Sequence, residues 1–193
     1  PRVKENRFVG PSTLRTLAAL QSGTPLWEVP RGGTSVGAAM RVAALAIAFP
    51  DRSKLIEQVI ASCAVSHYTR NAISGAMSMA FALSAALERD ADIVSISGAA
   101  KEGAVVGREF GDWTWTPPIE RRIDYTLDWS QNLPETEVLA RLYELIGVDM
   151  YAEQLVPCAI GLACLTDGEP QRAMLLGANL GGDADTLASM TGS

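Results

Sequence analysis

The sequence predicts an all-α fold, a single-domain helical bundle, on three observations. Runs that alternate apolar and polar residues, the mark of a half-buried strand, do not occur. Apolar residues instead recur at helical spacing through most of the chain. Proline, glycine and acidic residues stand between those runs, where helices start and stop. At 193 residues the chain suits one domain able to bury a sizeable core. Neither a repeat nor a long linker divides it, so residues 1–193 read as one unit.

The first strong segment is "VGAAMRVAALAIAF" (36–49), apolar nearly all round, which predicts a buried core helix. Pro50 stops it, and Asp51 is placed to cap a second helix over "RSKLIEQVIASCAV" (52–65). "TRNAISGAMSMAFALSAALE" (69–88) is a third, its small residues allowing close approach by neighbours. A fourth covers 92–110, weakened by glycines. Residues 111–120 are read as a loop, because Pro117-Pro118 removes two amide donors. Helices then follow over 121–132, 135–147, 153–166 and 170–180, with Gly147 and Gly181 at C-terminal cap positions.

Composition narrows the function. Hydrophobic residues make up 48 % and charged ones 20 %, as in a soluble globular protein. The net charge is −6 without a block of like charge, which argues against nucleic acid as a principal partner. Cys63, Cys158 and Cys164 suit no disulfide framework and predict free thiols in a reducing compartment. One histidine argues against a zinc site of Cys and His ligands. Every apolar run is too short for a membrane span and no signal peptide is visible, which predicts a cytoplasmic protein without a membrane partner. The opening Pro1-Arg2-Val3 and the short last helix predict a piece of a longer polypeptide.

The chemistry gathers at the end, in "NLGGDADTLASMTGS" (179–193). With Asp183 at the N-cap, Asp185 and Thr186 fall in the first turn, and Asp183 and Thr186 share a face. Two carboxylates ~5 Å apart repel by roughly 3 kcal/mol at an effective dielectric near 20. The helix N-terminus offsets about 1 kcal/mol of that. A hard divalent cation (Mg²⁺, Mn²⁺ or Ca²⁺) would offset the rest through all-oxygen ligands. An ordinary capped helix with an acidic first turn explains the same residues, and the residue chemistry alone leaves both readings open.

This segment resembles the C-terminal metal-binding signature of the ADP-ribosylglycohydrolase family. "RGGTSVGAAMRVAALAI" (31–47) resembles that family's glycine-rich loop, "SCAVSHYTRNAISGAMSMAFAL" (62–83) its histidine segment with His67 in place, and "EQLVPCAIGLAC" (153–164) the helix before the metal loop. The resemblance implies Asp183, Asp185 and Thr186 as ligands of a two-metal site holding Mg²⁺ or Mn²⁺, with Asp183 and Asp185 as catalytic carboxylates. It further implies ADP-ribose contacts at Gly32, Gly33, Thr34, Ser35 and His67. The family's "GDALG"-like motif and "TDD"-type acidic run do not occur in these 193 residues, and Val36 stands where many members have a small polar residue. The resemblance therefore implies a family domain truncated at both ends.

Read as a Gly/Ser turn entering a helix, 32–35 aims backbone N–H groups outward, as a pyrophosphate site would, and no strand precedes it to make a dinucleotide fingerprint. A lone His67 between two helices is structural as readily as it is a ligand contact. Trp113, Trp115 and Trp129 flank the Pro117-Pro118 loop, and packing against helices is the stronger expectation for them than stacking on adenine. The implied reaction is metal-dependent hydrolysis of an N- or O-glycosidic bond of ADP-ribose; the alternatives are a non-catalytic nucleotide binder and a structural, crystallin-like relative.

Overall fold

Helix α4 (Arg70–Ala86) is the axis of the molecule, and every residue from Asn71 to Ala82 on it is buried. A helix enclosed on all sides must be small on most of them, and Ala, Ser and Gly alternate there with Ile73, Met77 and Phe81. The computed structural model describes residues 9–25 and 28–193; the first eight residues of the opening segment lie outside them.

The chain enters through α1 (Pro11–Gln21), and around α4 lie a six-residue 3₁₀ segment (Val36–Arg41), α2 (Ala43–Ala48), α3 (Arg52–Ala64) and α5 (Ile93–Gly107). The second half comprises α6 (Ile119–Asn132), α7 (Glu135–Arg141) with a wider π turn over Leu142–Ile146, α8 (Ala152–Leu165), α9 (Pro170–Asn179) and α10 (Ala184–Thr191). Pairing among the described residues outside the helices is limited to isolated bridges, Gly32 with His67, Ser35 with Tyr151 and Thr69 with Asp112. The all-α fold expected from the sequence is therefore the fold observed. No helix among the described residues is long and apolar enough to cross a membrane.

Caps explain where the helices begin. The Asp51 carboxylate accepts from Lys54 N at 3.0 Å, Thr69 Oγ1 from Ala72 N, and Asp92 and Ser95 form a reciprocal capping box. Helix α5 presses closely on α4 because Gly103 lacks a side chain; a Cβ there would stand 2.4 Å from the Met77 carbonyl oxygen.

Two expectations need correction, and one helix is additional to them. Residues 36–49 do not form one buried helix: the 3₁₀ segment gives way to α2 at Val42, and Met40 (52 %) and Ile47 (69 %) are exposed. Alanines made the segment look apolar all round, yet alanine tolerates either environment, and Arg41 turns inward to the Ser62 carbonyl. Helix α6 starts at Ile119, not 121, because Pro118 sits at its N-cap, where no amide donor is required. Helix α1 was not anticipated, although Pro11 at its first turn and Gly23 (φ +87°) beyond its end mark both boundaries.

Helix α8 contains Pro157, which deprives the Glu153 carbonyl of its usual helical donor. Arg122 from α6 supplies one: its Nη1 donates to Glu153 O at 2.9 Å and to Ile146 O at 3.0 Å. One guanidinium thus ties the first turn of α8 to the end of the π turn and holds the intervening segment, 147–151, in place. Arg122→Met is expected to cost ~2–4 kcal/mol, since it strands two carbonyls. In a Pro157→Ala background the loss should be smaller, because alanine there restores an N–H for the Glu153 carbonyl; denaturant unfolding of the double-mutant cycle measures the difference.

Candidate metal turn and glycine loop

Segment 147–151 is the strap that joins the parts of the candidate site. Its Val148 carbonyl accepts from Asp183 N at 2.8 Å, and its Met150 carbonyl accepts from Val36 N at 2.8 Å. The C-terminal turn and the glycine loop, far apart in sequence, are thereby fastened to neighbouring residues.

Gly181 (φ +94°) and Gly182 (φ +62°) carry the chain from α9 into α10 in the left-handed region. Asp183 takes the N-cap position, but its side chain makes no capping hydrogen bond. Burial raises the Asp183 carboxyl above the usual carboxylate range, and the nearby Asp185 and Asp149 carboxylates push it the same way; the neighbouring Thr186 hydroxyl opposes them. The structure thus brings Asp183, Asp185 and Thr186 together, with Asp185 exposed and Thr186 buried. Asp149, on the strap, escaped the sequence reading; it looked like any acid after a helix-ending glycine.

The donor chemistry of this turn, carboxylates and a hydroxyl, fits a hard divalent cation. Among the described residues no group of three or more His, Cys, Asp and Glu side chains forms a metal cage. The turn therefore fits a share of a metal site, and not a whole one.

The glycine loop is anchored more firmly than its composition suggests. Gly33 N donates to Ser66 O at 3.0 Å and Thr69 Oγ1 donates to Gly33 O at 2.8 Å. The amides of Gly33 and Val36 are therefore taken by protein partners, which leaves those of Thr34 and Ser35 for a ligand. The loop also leads into the 3₁₀ segment rather than an α-helix.

His67 lies behind the loop, 3 % exposed. Its Nε2 is 2.9 Å from Ser35 Oγ and its Nδ1 is 2.7 Å from Ser66 Oγ. Burial lowers its pKa to about 4, and the Arg41 and Arg15 cations act in the same direction. A histidine with a depressed folded value stabilises the fold fully above its unfolded pKa, ~6.5, and loses that contribution as pH falls from there toward 4. Stability is expected to drop by on the order of 2 kcal/mol over that window, and by less in His67→Gln, as denaturant midpoints at a series of pH values would record.

Trp129 is partly buried and stacks on Tyr125 at 6.1 Å, as expected, but Trp113 (62 %) and Trp115 (89 %) are exposed and meet edge to face at 5.5 Å. These two line a cavity of about 620 Å³ with Arg70, Asn71 and Arg108, and none of the sequence-predicted site residues faces it. Cys63, Cys158 and Cys164 are free; the first two are buried and their thiols pushed up to about 12, whereas Cys164 is half-buried.

A helical bundle whose last turn presents Asp183, Asp185 and Thr186, with a glycine loop and buried histidine fastened beside it, is matched by a family model. The ADP-ribosylglycohydrolase model covers residues 2–193, and the chain belongs to that family. The family is generally metal-dependent and acts on ADP-ribose-containing substrates. Among individual relatives, the uncharacterized protein YegU of Escherichia coli (strain K12) is 30 % identical over 191 residues, covering 94 % of this chain and 55 % of YegU. The chain thus spans about half the length of that curated relative.

Proposed function

We propose that this chain carries the C-terminal metal turn and the phosphate-side loop of a divalent-metal-dependent hydrolase. The enzyme would cleave the N- or O-glycosidic bond joining ADP-ribose to a modified acceptor. The observation that carries this reading is the Asp183 carboxylate, which stands at a helix N-cap, beside other acids, without capping the helix. An acidic side chain that declines the nearest amide donors is available for a cation.

Asp183, Asp185 and Thr186 would hold Mg²⁺ or Mn²⁺, which when bound supplies electrostatic activation of water and of ribose hydroxyls. The rest falls to the protein. The amides of Thr34 and Ser35, with the Ser35 hydroxyl, receive the pyrophosphate. Gly32, with open space where a side chain would stand, leaves room for its approach; Gly33 lets Ser66 and His67 pack against the loop, and His67 holds Ser35 from behind. The exposed Asp185 carboxylate orients the attacking water and stabilises positive charge at the anomeric carbon. Water's hydroxyl goes to that carbon and its proton to the acceptor, giving free ADP-ribose and the unmodified acceptor.

A "TDD"-type run is absent from the 193 residues, so this share of the acids supports binding better than turnover. Titration calorimetry with ADP-ribose tests the reading: binding should require Mg²⁺ and be lost in Asp183→Asn. Binding indifferent to chelator and to the substitution would leave only a family fold. The second reading, a nucleotide binder without hydrolysis, is favoured by the same shortage of carboxylates; it predicts equal binding and no released ADP-ribose even when a complete family-length chain is assayed.

A further inference from the structure

We propose that Arg41 and Ser66 are positioning residues that fix His67 as its Nε2–H tautomer and thereby make the Ser35 hydroxyl an obligatory donor toward ligand oxygens. The ligand half of this inference rests on the anion-binding reading of the glycine loop; the tautomer half does not.

The direction of each hydrogen bond follows from the fixed end of the row. Arg41 can only donate. Its Nη2 donates to the Ser62 carbonyl at 2.8 Å and reaches Ser66 Oγ at 3.4 Å, so Ser66 Oγ accepts on that side. Ser66 is 2 % exposed and among the described residues its hydroxyl has no partner besides Arg41 and His67 Nδ1, at 2.7 Å, so its proton is satisfied only if Nδ1 offers a lone pair. A neutral imidazole with a bare Nδ1 carries its proton on Nε2. That proton points to Ser35 Oγ at 2.9 Å, and Ser35, accepting there, turns its own hydrogen outward.

Charge supports the same order. A neutral ring places its lone pair toward a cation and its N–H away from it, and Arg41 lies on the Nδ1 side. The groups that bear on the ring are Arg41 from the 3₁₀ segment and Arg15 from α1, both cationic, and they join burial in keeping the ring neutral. Cys63 of α3, close to Arg41, stays a thiol because burial raises it to about 12. Gly33 and Gly37 hold the ring in place, since a Cβ at either would stand within 2.8 or 3.0 Å of it. A 180° flip about Cβ–Cγ would put Cδ2 and Cε1 where Nδ1 and Nε2 stand and would break both hydrogen bonds.

Proton polarity sets specificity. A hydroxyl locked as a donor favours phosphate oxygens, which are acceptors, and disfavours an amine or a cationic group in the same place. The device requires a permanent cation at its far end, and arginine, charged at every physiological pH, supplies one.

The chain has a single histidine, so long-range ¹H–¹⁵N spectra report His67 without assignment. The unmodified protein at pH 7.5 should show protonated Nε2 and a lone pair at Nδ1, in one form. An Nδ1–H ring, a mixture of both tautomers or an imidazolium would overturn the inference without any variant. Ser66→Ala should admit the Nδ1–H form, and ADP-ribose affinity should fall in proportion to the fraction of Nε2–H that remains. An unchanged tautomer in that variant, or an unchanged affinity despite a changed tautomer, would contradict the positioning role. Should the unmodified protein bind no ADP-ribose, the proposed function fails instead, and the spectrum alone decides the tautomer.

Discussion

Gly182→Ala is expected to destabilise the protein by about 3 kcal/mol or more, the largest effect of any single methyl near the site. Alanine gains ~0.4–1 kcal/mol by restricting the unfolded chain. It loses ~1–2 kcal/mol in the left-handed region that φ +62° imposes. The decisive term is steric: a Cβ would stand 2.0 Å from the Val148 carbonyl oxygen, a backbone atom that cannot swing aside. Relief requires breaking the bond from Asp183 N to that oxygen, another ~1 kcal/mol, and releases the metal turn from the strap. Gly181→Ala is the control. It shares the left-handed backbone, but its nearest neighbour is a Tyr143 ring carbon at 3.5 Å, so only the conformational cost should appear. Denaturant unfolding of the two variants separates clash from strain; equal losses would refute the strap geometry.

The second large effect concerns charge. With Mg²⁺ or Mn²⁺ at one hundred times its dissociation constant, the folded state should gain ~2.7 kcal/mol. For a chain of this size that is a rise in Tm of roughly 5–10 °C. Asp183→Asn should abolish the gain and also raise the Tm of the metal-free protein. The sign follows from the direction of the Asp183 shift. A carboxyl raised above its unfolded value binds its proton more tightly in the folded state, so stability falls as pH rises through that interval. Asparagine mimics the protonated form and removes the repulsion from Asp185 and Asp149. Thermal scans with and without cation check both halves. A metal-free variant less stable than the parent would mean that Asp183 is a structural cap after all.

Much of this arrangement could be read from the chain because its signals are local. Asp51, Thr69 and Asp92 stand one residue before α3, α4 and α5, and the pattern of Gly181, Gly182 and Asp183 announces the last turn. What escaped was non-local. That Arg122 of α6 answers the carbonyl freed by Pro157 depends on which helices become neighbours, and spacing along the chain does not encode that. The strap at 147–151 is similar. Its Val148 and Met150 matter through their carbonyls, and Asp149 through proximity to Asp183, so side-chain type gave no warning. The Trp113–Trp115 pair was misjudged for the opposite reason: large aromatics are mostly buried, and here the loop before Pro117 carries them outward.

The central claim is that the three oxygen-bearing side chains of the last turn grip a hard cation. A crystal of the protein soaked in Mn²⁺ and measured at the manganese absorption edge tests it directly. The account predicts an anomalous peak ~2.2 Å from oxygens of Asp183, Asp185 and Thr186. A map without that peak, with the Asp183 carboxylate turned back onto the amides of Asp185 or Thr186, would contradict it.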